Sequence, residues 1–147
     1  MGGISKGSHT YRNIQRTGVF VINFLGQDFY DGCVAAIAQN GEEADEMAAG
    51  GFAAEKAVTV DVPRIAGAFL CMECELEKEA ALGDCPGVVV LIGKVRHIAL
   101  QEEFAKGMDE KYGEKGFMFN INEPKDVKTG EGQSGAVVVL KIVRVIG

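Results

Sequence analysis

The chain has no tryptophan, two histidines, three prolines and no long apolar run. Each shortage excludes something. A membrane-spanning helix takes about 20 consecutive apolar residues; no segment approaches that, so no membrane association is expected. His9 and His97 are the whole supply of imidazole. Neither belongs to a Ser/His/Asp or Cys/His constellation for nucleophilic catalysis, and neither completes a zinc site of the usual spacing. Basic charge is also scarce: 15 Lys and Arg stand against 21 Asp and Glu, a net charge of −6. Such a surface supplies no electrostatic footprint for nucleic acid, and none is expected as a partner. The N-terminus carries no apolar signal-peptide core, which makes the cytoplasm the expected location.

The cysteines are Cys33, Cys71, Cys74 and Cys85. In an unsecreted chain of this size they read as reduced thiols rather than as a disulfide framework. Cys71 and Cys74 form a CxxC, but redox motifs of that kind open a helix, whereas "FLCMECELEKE" alternates like a strand. On a strand, Leu70, Met72, Cys74 and Leu76 share one face, while Cys71, Glu73, Glu75 and Glu77 share the other. The sulfurs then point apart, the acidic residues point outward, and Cys74 reads as a small buried hydrophobe. The competing reading is a thiol redox or metal protein built on these two cysteines. No metal site and no catalytic side chain are expected.

What is present is an ordinary folding composition, 47% hydrophobic and 24% charged. A chain of 147 residues fits a single domain, here residues 1–147, able to bury roughly 68–70% of its unfolded surface. "GGIS" reads as the end of a strand. Ser8 then caps a two-turn helix, "HTYRNIQRT", ended by Gly18. "VFVIN" follows as a strand of β-branched and aromatic residues. A second helix begins at Asp28 with Asn40-Gly41 as its stop, and a short acidic helix is broken by Gly50-Gly51. "AVTVDVPRIAGA" reads as extended, with Pro63 favouring a strand edge. From residue 68 the chain turns strand-rich: the alternating segment around the cysteines, a turn at "GDCP", and "GVVVLIGKVRHIALQ", bent or bulged at Gly93. A polar, partly helical excursion follows, then an extended "FMFNINEP", a charged loop over residues 125–134 and a last apolar strand, "GAVVVLKIVRVI", expected to be central or at an interface. The fold class is mainly β, an antiparallel β-barrel with inserted helices.

The chemistry concentrates at the first turn. Ser5, Lys6, Ser8, His9 and Thr10 straddle Gly7 at the mouth of the first helix. Helix N-termini present unpaired N–H groups and partial positive charge, hydroxyls add donors, and Lys6 adds charge, so the turn reads as a phosphate cradle. The plainer reading is that Ser8 caps a helix in an exposed turn.

"SKGSHTYRNIQRTGVFVIN" resembles the strand–turn–helix–strand segment of the flavin reductase-like, FMN-binding split-barrel family, whose members include flavoredoxin-like proteins. "VDVPRIAGAFLCMECELEKE" is similar to the family's strand ending in L-E-C, and "VVVLIGKVRHIALQEEF" to its "IGEV" strand. The resemblance runs over roughly residues 3–104 and implies an FMN-binding split barrel. It implies a homodimer with FMN at the interface, its phosphate held by Ser5, Lys6, Ser8 and Thr10 with His9 as a neighbour. It further implies a flavoprotein moving hydride or electrons between flavin and NAD(P)H or a redox protein. The alternative is a non-catalytic dimeric module that has lost flavin. Family members carry two or three strands ahead of this turn, so the resemblance also implies a member lacking the usual N-terminal strands, its barrel edges covered by another chain or by its own last strand.

Overall fold

Two long neighbouring strands carry the fold, and their side-chain alternation decides what lies on each side of the sheet. The computed structural model describes residues 3–38 and 44–105, and the backbone of 117–121 and 136–140. In chain order the elements are β1 (Ile4–Ser5), α1 (His9–Thr17), β2 (Val19–Phe24), a 3₁₀ turn (Gln27–Phe29), α2 (Tyr30–Ala38), α3 (Glu46–Ala49), β3 (Ala54–Glu55) and β4 (Arg64–Ile65). β5 (Leu70–Ala81), β6 (Val88–Leu100), α4 (Glu102–Ala105), β7 (Phe117–Ile121) and β8 (Ala136–Leu140) follow. β1, β6, β5 and β2 form one antiparallel sheet in that order, while β3–β4 and β7–β8 pair separately. The chain is thus mainly β with a few inserted helices, as expected. The expected helix stop at Asn40-Gly41, most of the polar excursion, the loop at 125–134 and residues 141–147 lie outside the described residues.

α1 has the caps its sequence announces. The Ser8 hydroxyl accepts the N–H of Tyr11 at 3.1 Å, and Gly18 closes the helix at φ 70°, a left-handed value that a Cβ disfavours. The second helix starts later than expected, at Tyr30, because Asp28 lies within the 3₁₀ turn.

Residues directly opposed in an antiparallel ladder point to the same face. One face therefore carries the rows Phe24–Leu70–Leu100, Ile22–Met72–Ile98 and Phe20–Cys74–Val95. The other carries Asn23–Cys71–Ala99 and Val21–Glu73–His97. The register slips twice along β5–β6, once between Glu73 and Cys74 and once between Leu76 and Lys78. At the second slip Leu76 faces Gly93 but Lys78 faces Ile92, so Glu77 is the extra residue of a bulge. The irregularity expected at Gly93 thus falls on the facing strand, and a separate steric reason keeps position 93 a glycine. The Phe20 ring reaches from β2 across Cys74 to lie over Gly93, where a Cβ would overlap its far carbon. Cys74 is 2% exposed beneath that ring, the small buried residue expected there.

Two expectations are corrected. Glu73 does not point outward; it is 0% exposed. The segment after residue 57 is not one extended strand but a bent loop, with only Ala54–Glu55 and Arg64–Ile65 paired at its base. One interaction explains both. The loop lies over the Glu73 face and turns its backbone N–H groups inward, those of Val58 at 2.9 and 3.1 Å and Thr59 at 2.7 Å from the carboxylate, with the Thr59 hydroxyl also at 2.7 Å. A regular strand could not aim consecutive N–H groups at one acceptor. Asn23 ties the loop down a second time, its side-chain carbonyl accepting the N–H of Ile65 at 3.0 Å and the Cys71 thiol at 3.3 Å.

Burial alone would push the Glu73 carboxyl up, but the Val58 and Thr59 donors and the field of His97 outweigh it and hold the group below the usual carboxylate range. A depressed folded-state pKa gives stability that is present above the unfolded value and lost as pH falls through the folded one. Glu73→Gln is expected to cost about 1.5–3 kcal/mol in urea unfolding at pH 7. The gap from wild type should shrink as pH falls to about 3; a gap independent of pH would refute this account. Gly93→Ala is expected to cost about 1–3 kcal/mol by forcing the Phe20 ring aside, measured the same way.

Candidate functional site

The turn between β1 and α1 is built by its own hydroxyls. Ser5 Oγ accepts the N–H of Gly7 at 3.2 Å. The Ser8 hydroxyl donates to the Ser5 carbonyl at 2.8 Å while accepting from Tyr11, so both its functions go to the turn and the cap. Lys6 N–H donates to the Gly87 carbonyl at 3.0 Å, which fixes the turn against the start of β6. These bonds leave the first-turn N–H groups of His9 and Thr10 with no acceptor among the described residues. Unpaired first-turn donors at the positive end of a nine-residue helix are where an anion is stabilised.

All five residues singled out in the sequence, Ser5, Lys6, Ser8, His9 and Thr10, sit at this helix mouth, but their side chains face different ways. Thr10 lines a cleft of about 520 Å³ between α1 and β2, with Gly3, Ile4, Ile14, Leu91 and the stretch Phe20–Asn23. The Lys6 ammonium turns to Glu79 at 3.3 Å, and His9 Nδ1 lies 3.6 Å from a Glu46 carboxylate oxygen on α3. Both side chains therefore already stand beside carboxylates. Sequence reading missed Arg12, whose guanidinium folds back to donate to the Gly7 carbonyl at 3.2 Å. The signal was available: Arg12 lies four residues after Ser8 and so returns to the same helix face. It also missed the cleft, because the apolar residues lining it read as ordinary core.

The cleft opens onto an uncovered apolar surface. Ile22 lines it and also begins the row Ile22–Met72–Ile98. Ile22, Val95, Ile98 and Leu100 are 43%, 45%, 55% and 42% exposed, so among the described residues that sheet face is only partly covered beyond α1.

The cysteines offer less. Cys33, Cys71, Cys74 and Cys85 are free, and burial pushes the thiols of Cys33, Cys71 and Cys74 up, with Arg64 opposing the rise at Cys71. Reactive thiols need the opposite shift. The Cys71 thiol donates to Asn23 and the Cys74 thiol to the Met72 carbonyl at 3.6 Å, so the pair is engaged in separate structural contacts. Among the described residues no group of three His, Cys, Asp or Glu is placed to hold a metal ion, and no helix is long and apolar enough to cross a membrane.

Comparison with known proteins follows the same lines as the fold. A search of curated proteins finds no match. Among solved structures, the flavoredoxin of Methanosarcina acetivorans is 16% identical with a TM-score of 0.71, over 98% of this chain and 69% of its own. The Pseudomonas fluorescens 2-nitrobenzoate 2-nitroreductase NbaA is 24% identical with a TM-score of 0.59, over 69% of this chain and 49% of its own. An FMN-binding protein from Thermus thermophilus is 22% identical with a TM-score of 0.54, over 68% of this chain and 52% of its own. The chain thus spans about half the length of two of these three structures. The family model described as "Flavin reductase like domain" matches residues 1–116, which takes in the turn, the cleft and the whole four-stranded sheet. The chain belongs to the flavin reductase-like family, with its split-barrel fold.

Proposed function

We propose that this chain is an FMN-binding flavoprotein of the oxidoreductase type, a single domain that holds the flavin phosphate at the mouth of α1 and the ring system in the adjoining cleft. The observation that carries the reading is the adjacency of two chemically different subsites. The unpaired N–H groups of His9 and Thr10 end where a largely apolar cleft of about 520 Å³ begins, and Thr10 belongs to both. That volume lies within the roughly 300–1,000 Å³ usual for cofactor sites. The residues present fit the group: donors and the Arg12 charge at one end suit a dianion, while Ile4, Ile14, Ile22 and Leu91 suit a flat apolar ring. FMN rather than FAD is favoured because the turn offers one compact anion subsite.

A bound flavin supplies the hydride or electron chemistry itself. The protein groups therefore bind, orient and exclude water. Backbone donors and Arg12 fix the phosphate, Ser8 and Gly18 hold the helix that presents those donors, and the β2 backbone from Phe20 to Asn23 forms the cleft wall. NAD(P)H or a redox protein is the proposed electron partner. The bare apolar rows beside the cleft support a homodimer that covers them, since faces of this kind are otherwise an aggregation hazard.

Titration of FMN fluorescence with purified protein tests the reading. Saturable quenching is expected, weakened about tenfold for riboflavin, which lacks the phosphate, and several-fold in Arg12→Ala. Absence of quenching far above micromolar protein would favour the alternative, a dimeric module without flavin. Light scattering should give the mass of a dimer, and a well-behaved monomer would remove the proposed interface.

A further inference from the structure

We propose that Glu79 is the counter-charge of the anion site, a positioning residue on β5 that holds Lys6 and so sets how strongly the turn attracts a phosphate. The inference rests on the phosphate subsite proposed above and adds a residue outside the turn that neither sequence pattern nor family resemblance points to.

The geometry separates two tasks on one carboxylate. Glu79 Oε2 accepts the Tyr11 hydroxyl at 2.9 Å and the Gln15 amide at 3.1 Å. Tyr11 and Gln15 are four residues apart and share a face of α1, so this oxygen docks the helix on the sheet. Glu79 Oε1 lies 3.3 Å from the Lys6 ammonium. This second oxygen matches a charge on the loop, not the helix. The Tyr11 hydroxyl is raised by its bond to Glu79, as expected of a phenol donating to a carboxylate. Glu46 of α3 stands 3.6 Å from His9 Nδ1. Lys6, the standing cation of the turn, is thus balanced by a carboxylate from another element, leaving backbone donors and Arg12 as the unmatched attraction for an anion.

The Lys6 and Glu79 side chains are 44% and 31% exposed, so the pair is partly screened and its effect is modest. Glu79→Gln separates the two tasks: the amide oxygen can still accept from Tyr11 and Gln15, while the negative charge opposite Lys6 is gone. Freed Lys6 then adds its charge to the site.

The test is a double-mutant cycle read by FMN fluorescence, using wild type, Glu79→Gln, Lys6→Ala and the double variant, at low and high NaCl. Glu79→Gln should bind FMN about threefold more tightly at low salt. The gain should shrink at high salt, vanish in the Lys6→Ala background and be absent for riboflavin. A gain that persists without Lys6, or that riboflavin shares, would show that Glu79 acts only by holding α1, and would overturn the proposal. Should Glu79→Gln fail to fold, Lys6→Met reads the same pair: the unmatched Glu79 charge should weaken FMN binding about threefold and leave riboflavin unchanged. Unchanged FMN binding in Lys6→Met would also overturn the proposal. If wild type itself binds no FMN, the proposed function falls and this inference with it; if wild type binds and the cycle shows no coupling, only this inference falls.

Discussion

The buried carboxylate of Glu73 is the constraint from which the sheet's two sides acquire different roles. An ionised group removed from water is costly unless it is fully hydrogen-bonded. Here the loop over residues 57–63 is bent to deliver donors from Val58 and Thr59. Arg64, which anchors one side of that loop to Glu55 at 2.9 Å, stands 3.9 Å from Glu73 and adds favourable charge. The result is a sheet with one face committed to the loop.

That other face is divided by α1. Where the helix covers it, packing is close: Ile14 and Val89 are buried, and the Phe20 ring occupies the space Gly93 leaves. Where the helix ends, the apolar rows are partly exposed among the described residues, and the cleft lies along the boundary. The N-terminus of α1 lies at the edge of an apolar cleft, the juxtaposition on which the proposed flavin site rests. This arrangement suits chemistry carried by a cofactor.

Charge at the site is restrained rather than accumulated. Lys6 and His9 stand beside Glu79 and Glu46, so in the proposed site an anion would meet mainly oriented backbone donors and one guanidinium. Backbone donors are fixed by the fold and cost little ordering on binding, whereas a free lysine must be immobilised.

Local signals in the sequence determined a good deal of this. The Ser8 and Gly18 caps, the strand at Val19–Phe24, the bulge beside Gly93 and the buried Cys74 each follow from short-range rules about capping, branching, absent side chains and alternation. The gathering of Ser5–Thr10 at a helix mouth was legible because capping is a local property. What only the tertiary structure decided depends on contacts far apart in sequence. Glu73 alternates with Glu75 and Glu77 and looks like one more outward acid; only a loop 14 and 15 residues away, supplying donors, makes it internal. Lys6 and Glu79 meet across more than seventy positions because β1 pairs with β6 and β6 with β5. The cleft exists only where α1 stops covering β2. Alternation and capping are read within a few residues, but a partner for a buried charge or a wall for a cleft comes from register between strands, which no local pattern encodes.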